Sequence, residues 1–532
     1  MKRSFTRPKL AKELRKQKQL DQKSEQKLQE RTKDVPIYPS LKENLNYISE
    51  ILGDSSDIIT RTFKIPHAPD REAAVIFIDG MANSQVINDY ILHSLTVESE
   101  QVDVKYEIDR WLEDRLLHVG ETKSTEKMKD LVGAILAGDT VLFIDRCEKG
   151  FMLGTKGWDH RSVEEPNIEA VVRGSREGLT ENIRTNSALI RRRLKDPDLR
   201  MLSYKLGDRT KTDVCVFYIK GIMDENTLKE VVNRIESINI DGVLESGYIE
   251  EFIEDSTWSP FPQVQGTERP DACAAHLLEG KAIIIVDGTP FALVVPAVFA
   301  QFYYSPEDYY SRFLIASLVR LVRVFSFIIA LMLPALYIAF VSFHTEMIPS
   351  EFAIAIAAGR STVPFPSLVE ALLMELSVEI LREASIRLPG PIWPTIGIVG
   401  ALVIGEAAVS AGIVSPLMVI VVALTTIGSY ANPSYTAAIA VRMLRFPLMG
   451  AAAVVGLYGV MLGLLIIILH LVKLKSFGVP YMSPLTPLKM SDTKDTLVRV
   501  PWKWMNKRPE TFRPGDKERQ KQTKPKRAGE SS

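Results

Sequence analysis

The chain has 532 residues, too many for one hydrophobic core, with 65 basic and 65 acidic side chains. That neutral balance gives no footprint for nucleic acid, and Cys147, Cys215 and Cys273 are too few and too scattered for a disulfide framework or a zinc site. The charge is unevenly spread. The first 34 residues and the end from Lys503 to Arg527 are basic, and the acids lie between.

Residues 1–34 are rich in Lys, Arg, Gln and Glu and nearly free of aromatics, so they read as a disordered basic arm or a short solvated helix. They contain no apolar run of the signal-peptide kind, which predicts that the soluble region after them stays inside the cell. From Ile37 to Ala300, short β-rich runs alternate with amphipathic helices, an α/β pattern. The pattern repeats. AVIFIDGMANSQVINDYIL from Ala74 and VCVFYIKGIMDENTLKEVV from Val214 each read as strand, glycine turn and helix. TVLFIDRCEKGFML from Thr140 and AIIIVDGTPFALVV from Ala282 each read as strand, turn and returning strand. The offset is about 140 residues in both cases, one domain length. Two similar α/β subdomains are therefore expected, over 35–165 and 166–305.

Between the halves lies a basic cluster that includes Arg173, Arg176, Arg191, Arg192 and Arg193. Arginine forks and glycines ahead of a helix can hold an anion. Gly174 and Gly178 belong to no phosphate loop, however, and helix ends, salt bridges or intersubunit contacts are the heavier reading. His276 is a lone histidine with no partner at catalytic spacing. No metal cluster, triad or phosphate loop points to an enzyme or a cofactor.

Residues 306–475 read as an α-helical polytopic membrane domain. Arg312, Arg320 and Arg323 recur at helical spacing in an interfacial helix, followed by an uncharged span from Val324 to Phe343 with Pro334 inside. Further spans are expected over Thr395–Val414, from Pro416, and over Phe446–Val472. The total is about four, which places the soluble region and the tail on one side and Arg442 and Arg445 on the other. The segment 366–388 reads as an amphipathic helix rather than a plain span. Ser367 and Glu370 suggest a capping box, and Glu375, Glu379 and Glu383 share a face that lines water or meets a partner. Glu406 lies in the second span with Ser410 four residues on. An ionised side chain there costs on the order of 3 kcal/mol unless it faces a cavity or a partner. Gly397, Ala401 and Gly405, and later Gly459 and Gly463, are small residues at four-residue spacing that let helices pack closely. Residues 476–532 read as a cytoplasmic tail, basic and disordered towards its end.

The motifs TENIRTNSALIRRRLKDPDLR, SPFPQVQGTERPD, SPEDYYSRF, VPFPSLVEALLMELSVEILREASIRLP, IVGALVIGEAAVSAGIVSP and FGVPYMSPL together resemble the A-subunit family of bacterial spore germination receptors. The resemblance implies a multi-pass protein of the spore inner membrane that acts beside a transporter-like B subunit, which senses the nutrient, and a lipoprotein C subunit. It implies a homo-oligomer that forms a channel for monovalent cations. The alternatives are a paralogous channel that amplifies germination without its own sensor and a non-conducting scaffold. Glu375, Glu379, Glu383, Glu406 and Ser410 are the candidate pore-lining or gating residues. The family often carries glutamine where this chain has Glu406.

Overall fold

In a computed structural model, residues 35–65, 68–96, 122–157, 165–166, 169–386 and 405–520 are described. The basic arm, Gly397, Ala401 and the last twelve residues lie outside them.

The soluble region holds two five-stranded sheets. In subdomain 1, α1 (Leu41–Leu52) precedes β1 (Ile58–Ile65) and β2 (Ala68–Ile78); a helical run over 84–96, β3 (Thr122–Thr125), α2 (Met128–Leu136), β4 (Thr140–Ile144) and β5 (Gly150–Leu153) follow. In subdomain 2, α3 (Ile183–Arg193) precedes β6 (Leu199–Leu206) and β7 (Thr212–Ile219). Then come α4 (Glu225–Glu236), α5 (Ser246–Ile253), β8 (Gln265–Thr267), α6 (Pro270–Leu278), β9 (Ala282–Val286) and β10 (Ala292–Val295). The strand orders match, β1-β2-β4-β5-β3 and β6-β7-β9-β10-β8, and the pairs are antiparallel.

The apolar runs explain the layers. A strand covered on both faces needs no polar alternation, and β4 and β9 are buried at every residue. In β2, Ala74, Ile76 and Ile78 pack against α1 and α2 while Ala73, Val75 and Phe77 pack on the opposite face under the helical run 84–96. In β7, Cys215, Phe217 and Ile219 face α3 and α6, and Val214 and Val216 face α4 and α5. The duplication extends to single hydrogen bonds. Asp145 Oδ1 accepts from the Leu41 N–H and Asp287 Oδ1 from the Ile183 N–H, each at 3.1 Å, so each second hairpin caps the helix that opens its own subdomain. Gly80 and Gly221 take φ of +79° and +81° in equivalent turns, a conformation that glycine adopts without steric cost.

The helical part differs from its expected layout in four ways. First, the interfacial helix and the first span are one helix, α7 (Phe313–Phe343), about 46 Å long. Second, after α8 (Ser350–Arg360), the helix α9 (Ser367–Ile386) packs inside the bundle against α7, α10 (Pro416–Tyr430) and α11 (Tyr435–Val455). Third, the stretch 446–472 is not a single span. Gly456, at φ +64°, ends α11 and starts α12 (Leu457–Lys473), and a Cβ there would lie 2.7 Å from the His344 ring. Fourth, residues 475–520 are not a loose tail. Phe477 enters the core of subdomain 2, Tyr481 is fully buried, and the Gly515 and Asp516 N–H groups donate to Ile222 and Gly221 at 2.9 Å. Arg499 and Arg508, 2% and 4% exposed, donate to backbone carbonyls, while the end expected to be disordered lies beyond the described residues.

Candidate functional site

Helix direction follows from contacts at the two ends of the bundle. At the end far from the sheets, Tyr337 meets Ser415 at 3.1 Å, Ser342 meets Ser367 at 2.6 Å, and Gly456 abuts Phe343 and His344. At the near end, Gly428 abuts the Ser326 carbonyl, Arg382 Nε donates to the Tyr430 hydroxyl at 3.2 Å, and His470 bonds Ser259 at 2.9 Å. Thus α7 and α11 run away from the sheets, and α9, α10 and α12 run towards them. Two of these, α7 and α11, are long and apolar enough to cross a membrane; α10 and α12 are apolar but shorter.

A polar thread runs down α9 through this apolar bundle. Glu370, fully buried, accepts from the Ser415 N–H at 2.6 Å and from its hydroxyl, at the start of α10. It therefore clasps a neighbouring helix terminus instead of closing a capping box on its own. Further along the helix, Glu375 is fully buried and pairs with Arg445 of α11. Arg445 Nε also donates to the Ala330 carbonyl at 2.8 Å. That carbonyl is available because Pro334, four residues along α7, has no N–H to give it. One proline and one arginine thereby tie α7, α9 and α11 together. Glu379 is held by Arg382 at 2.7 Å and by Arg442 at 3.6 Å. Arg442 and Arg445, expected beyond the far side of the bundle, instead lie within it and face the acids of α9.

The thread is incompletely satisfied. Among the described residues, Glu370 Oε2, Glu375 Oε1 and Arg445 Nη2 are buried without a hydrogen-bond partner. Such orphans cost about 1–3 kcal/mol each, less at Glu370 Oε2, which lies 3.7 Å from the Arg360 guanidinium. Glu383, Glu406 and Ser410 have a different setting and are exposed, the last two on a helical turn over 405–410. A Cβ on Gly405 would lie 3.6 Å from Val419, an ordinary contact, whereas one on Gly459 would lie 2.1 Å from the Ala451 carbonyl and one on Gly463 2.6 Å from Leu448. The Gly459–Gly463 ridge is therefore buried against α11 of the same chain.

A second polar cluster joins the bundle to the sheets. Asp308, in SPEDYYSRF, receives Arg320 at 2.9 Å and Arg323 at 2.8 Å, and its carbonyl accepts from Arg499 at 2.6 Å. Arg320, fully buried, also reaches Asp495 at 2.7 Å and stacks over the Tyr304 ring at 4.2 Å. The Tyr309 hydroxyl donates to Asp495 at 2.9 Å. Burial is the largest cause holding the Tyr304 and Tyr309 hydroxyls well above their ordinary pKa, and it raises the Asp495 carboxyl against the pull of Arg320. The root of α7 is thus clamped between subdomain 2 and the C-terminal segment. The repeating arginines signalled a coupling helix; the partners at Asp495 and Arg499, far off in sequence, carried no such signal.

The arginine cluster is largely paired within the chain. Arg191, 2% exposed, makes two bonds to Asp57 of subdomain 1 at 2.7 and 2.8 Å and one to Ser55 at 2.9 Å. Arg192 and Arg193 both pair with Glu177, Arg176 pairs with Glu165 at 3.2 Å, and Arg173 is exposed. Arg191 therefore bolts the two subdomains together, and of the five only Arg173 and Arg176 face outward. His276 is an acceptor for Lys281 Nζ at 2.9 Å, and burial lowers its pKa.

A duplicated two-sheet region joined through a polar clamp to an apolar bundle defines the class: a soluble module rigidly coupled to helices suited to a membrane. Residues 46–511 match the family described as Bacillus/Clostridium GerA spore germination protein, and the chain belongs to that family. It is 47% identical over 492 residues to spore germination protein KA of Bacillus subtilis (strain 168), covering 92% of this chain and 90% of that one. It is 46% identical to the uncharacterized membrane protein YfkQ of the same organism (92% and 94% covered), and 42% identical to spore germination protein GerLA of Bacillus cereus (90% and 96% covered). The crystallised N-terminal domain of the A subunit of the Bacillus megaterium spore germinant receptor GerK3 is 37% identical, covering 50% of this chain and 98% of that chain, at a TM-score of 0.40.

Proposed function

We propose that this chain is the A subunit of a nutrient germinant receptor, and that copies of it assemble in the spore inner membrane into a cation channel that opens when a partner subunit senses the germinant. The sheets and the C-terminal segment lie on the cytoplasmic side. A transporter-like B subunit and a lipoprotein C subunit complete the receptor. The observation that carries the reading is the line of acids on α9, Glu383 included, together with Glu406, in a bundle whose long helices otherwise expose mostly apolar side chains. Acid side chains are kept at membrane depth where they meet water, ions or a partner, and rings of them favour cations. Glu383, Glu406 and Ser410, exposed on a single copy, are the pore-facing set; Glu375 and Glu379, already paired, gate it by holding α9 in place.

The test is flux of potassium from liposomes that contain the full-length oligomer. Glu383→Gln and Glu406→Gln should lower cation-over-anion selectivity, and Glu375→Gln should change opening and leave selectivity alone. Unaltered selectivity in both exposed-site variants removes the pore assignment. A second reading, a non-conducting scaffold for the receptor, draws on the pairing of Glu375 and Glu379 with arginines of the same chain. It predicts no flux at all. In either reading the chain does no chemistry on the germinant.

A further inference from the structure

We propose that the cavity where α6 and the root of α7 meet the C-terminal segment is a binding site for a neutral, planar small molecule with one hydrogen-bond acceptor. The cavity has a volume of about 480 Å³, within the ordinary range of small-molecule sites. Its walls come mainly from three parts of the chain brought together only by folding, Asp271–Lys281, Val298–Tyr310 and Ser483–Arg519, with Glu169 and Gln265 completing them. Aromatic rings dominate, with Tyr304, Tyr309, Tyr310, Trp502 and Phe512 on the wall, and Tyr309 and Trp502 set 5.8 Å apart. Flat rings are bound on such surfaces by stacking and edge contacts.

Most charges on the wall are committed; the exception is Glu169, which accepts from the Thr267 hydroxyl and the Glu268 N–H on one oxygen and whose pKa burial raises. Lys281, 1% exposed, gives its ammonium to His276 Nδ1 and Gln301 Oε1 at 2.9 Å and to Glu279 at 3.3 Å, and lies 4.4 Å from the centre of the Phe512 ring. Arg519 pairs with the same Glu279 at 3.3 Å, and Arg508 donates to the Leu278 carbonyl and pairs with Asp516. Asp271 is held by Arg269 and by the Tyr310 hydroxyl, and Asp495 by Arg320. A charged ligand would have to break one of these pairs.

Two polar atoms on the wall are left over: the Gln265 Oε1 acceptor and, on Gln301, a donor. Gln301, 3% exposed, turns its carbonyl oxygen towards the Lys281 ammonium, and its amide nitrogen is then buried with no partner. The lysine fixes this orientation, because a flipped amide would set two donors against each other. A buried donor without an acceptor is the feature that a ligand carbonyl or ring nitrogen satisfies. A molecule seated there bridges α6 to the C-terminal segment and so reinforces the clamp on α7.

The experiment uses the full chain in lipid nanodiscs, titrated calorimetrically with benzamide, benzoate and benzamidine. These share a ring and differ in charge and hydrogen-bonding sense. Saturable benzamide binding is expected, at least tenfold tighter than for the two ions. Gln301→Glu keeps the acceptor for Lys281 and replaces the donor by a second acceptor, so it should reverse the preference and favour benzamidine over benzamide. Ala275→Trp, at a solvent-accessible position of the wall, should remove binding of all three. The proposal is overturned if benzamide fails to saturate below about 10 mM, if Ala275→Trp binds it as the unaltered chain does, or if Gln301→Glu leaves the order of the three probes unchanged.

Discussion

Two of the buried arginine–carboxylate pairs, one between the sheets and one between helices, are built to different standards. Arg191 and Asp57, each 2% exposed, join the two sheets; three hydrogen bonds leave the arginine, and Ser55 gives its own hydroxyl to Asp57 at 2.6 Å. Arg445 and Glu375 join the helices α7, α9 and α11, and each keeps one buried atom without a partner. A pair taken out of water gains only if its remaining donors and acceptors are also met. The first pair meets that condition and acts as a rivet. The second falls short. The contrast separates a fully met pair between the two sheets from a partly met one inside the bundle.

The largest effect should come from breaking the rivet. Asp57→Ala leaves Arg191 buried and uncompensated, which costs about 3–5 kcal/mol. Thermal melting of the full chain should show it, with the soluble region unfolding first; loss of less than about 1 kcal/mol would mean that the two subdomains do not depend on the pair. Arg445→Ala is expected to cost about as much by stranding Glu375. The combination of Glu375→Leu with Arg445→Met should recover most of it, because a well-packed apolar substitute for a buried ion pair is often neutral. Recovery of stability together with altered opening in the flux assay would place the pair's value in gating. No recovery would make it a structural rivet like the first.

The comparison also shows which features a sequence displays. The two sheets were legible because β2, β4, β7 and β9 carry unbroken apolar runs followed by turn residues, and because the motif recurs after about 140 residues. Membrane character was legible from apolar length alone. The break at Gly456 was not, since a glycine between two apolar runs looks the same in a continuous span; only the approach of Phe343 and His344 reveals the turn. The pairing of Glu375 was equally hidden. On its own helix it has no complementary charge at three- or four-residue spacing, and Arg445 lies seventy positions away. The folding-back of residues 475–520 was missed for a related reason, because composition weighs Arg499 and Arg508 as solvated charges while the fold turns them onto backbone carbonyls of α6 and of the segment before α7.

An intermediate effect is expected at Glu250, on α5 in the soluble half. Burial, with the charges of Glu254 and Glu245 adding to it, pushes its carboxyl up to about 7. The folded state therefore holds a proton that the unfolded chain releases near pH ~4.3. The stability this group contributes is fully present below that value and is lost as pH rises towards 7 and beyond. Glu250→Gln should flatten the dependence of the melting temperature on pH between about 4.5 and 7.5, and it should gain on the order of 1–3 kcal/mol over the unaltered chain at the upper end. An unchanged pH profile would show that the carboxyl is solvated.

The smallest effect belongs to the outer members of the arginine cluster, and it sharpens the contrast with Arg191. The Arg176–Glu165 pair has side chains 72% and 65% exposed. Water screens such a pair, and ordering two long side chains offsets most of the remaining attraction, so Arg176→Ala should shift stability by less than about 0.5 kcal/mol. Arg173 and Arg176 are then free to act between copies. If they do, the double substitution Arg173→Ala with Arg176→Ala leaves the melting temperature of the dilute chain in place and shifts the oligomer distribution measured by native mass spectrometry. A melting temperature that falls as far as in Asp57→Ala would instead place these two arginines among the bolts of the fold. With neither quantity altered, the exposed rim of the cluster is a solvated surface, and Arg191 on Asp57 with Arg192 and Arg193 on Glu177 accounts for what the basic run does in the folded chain.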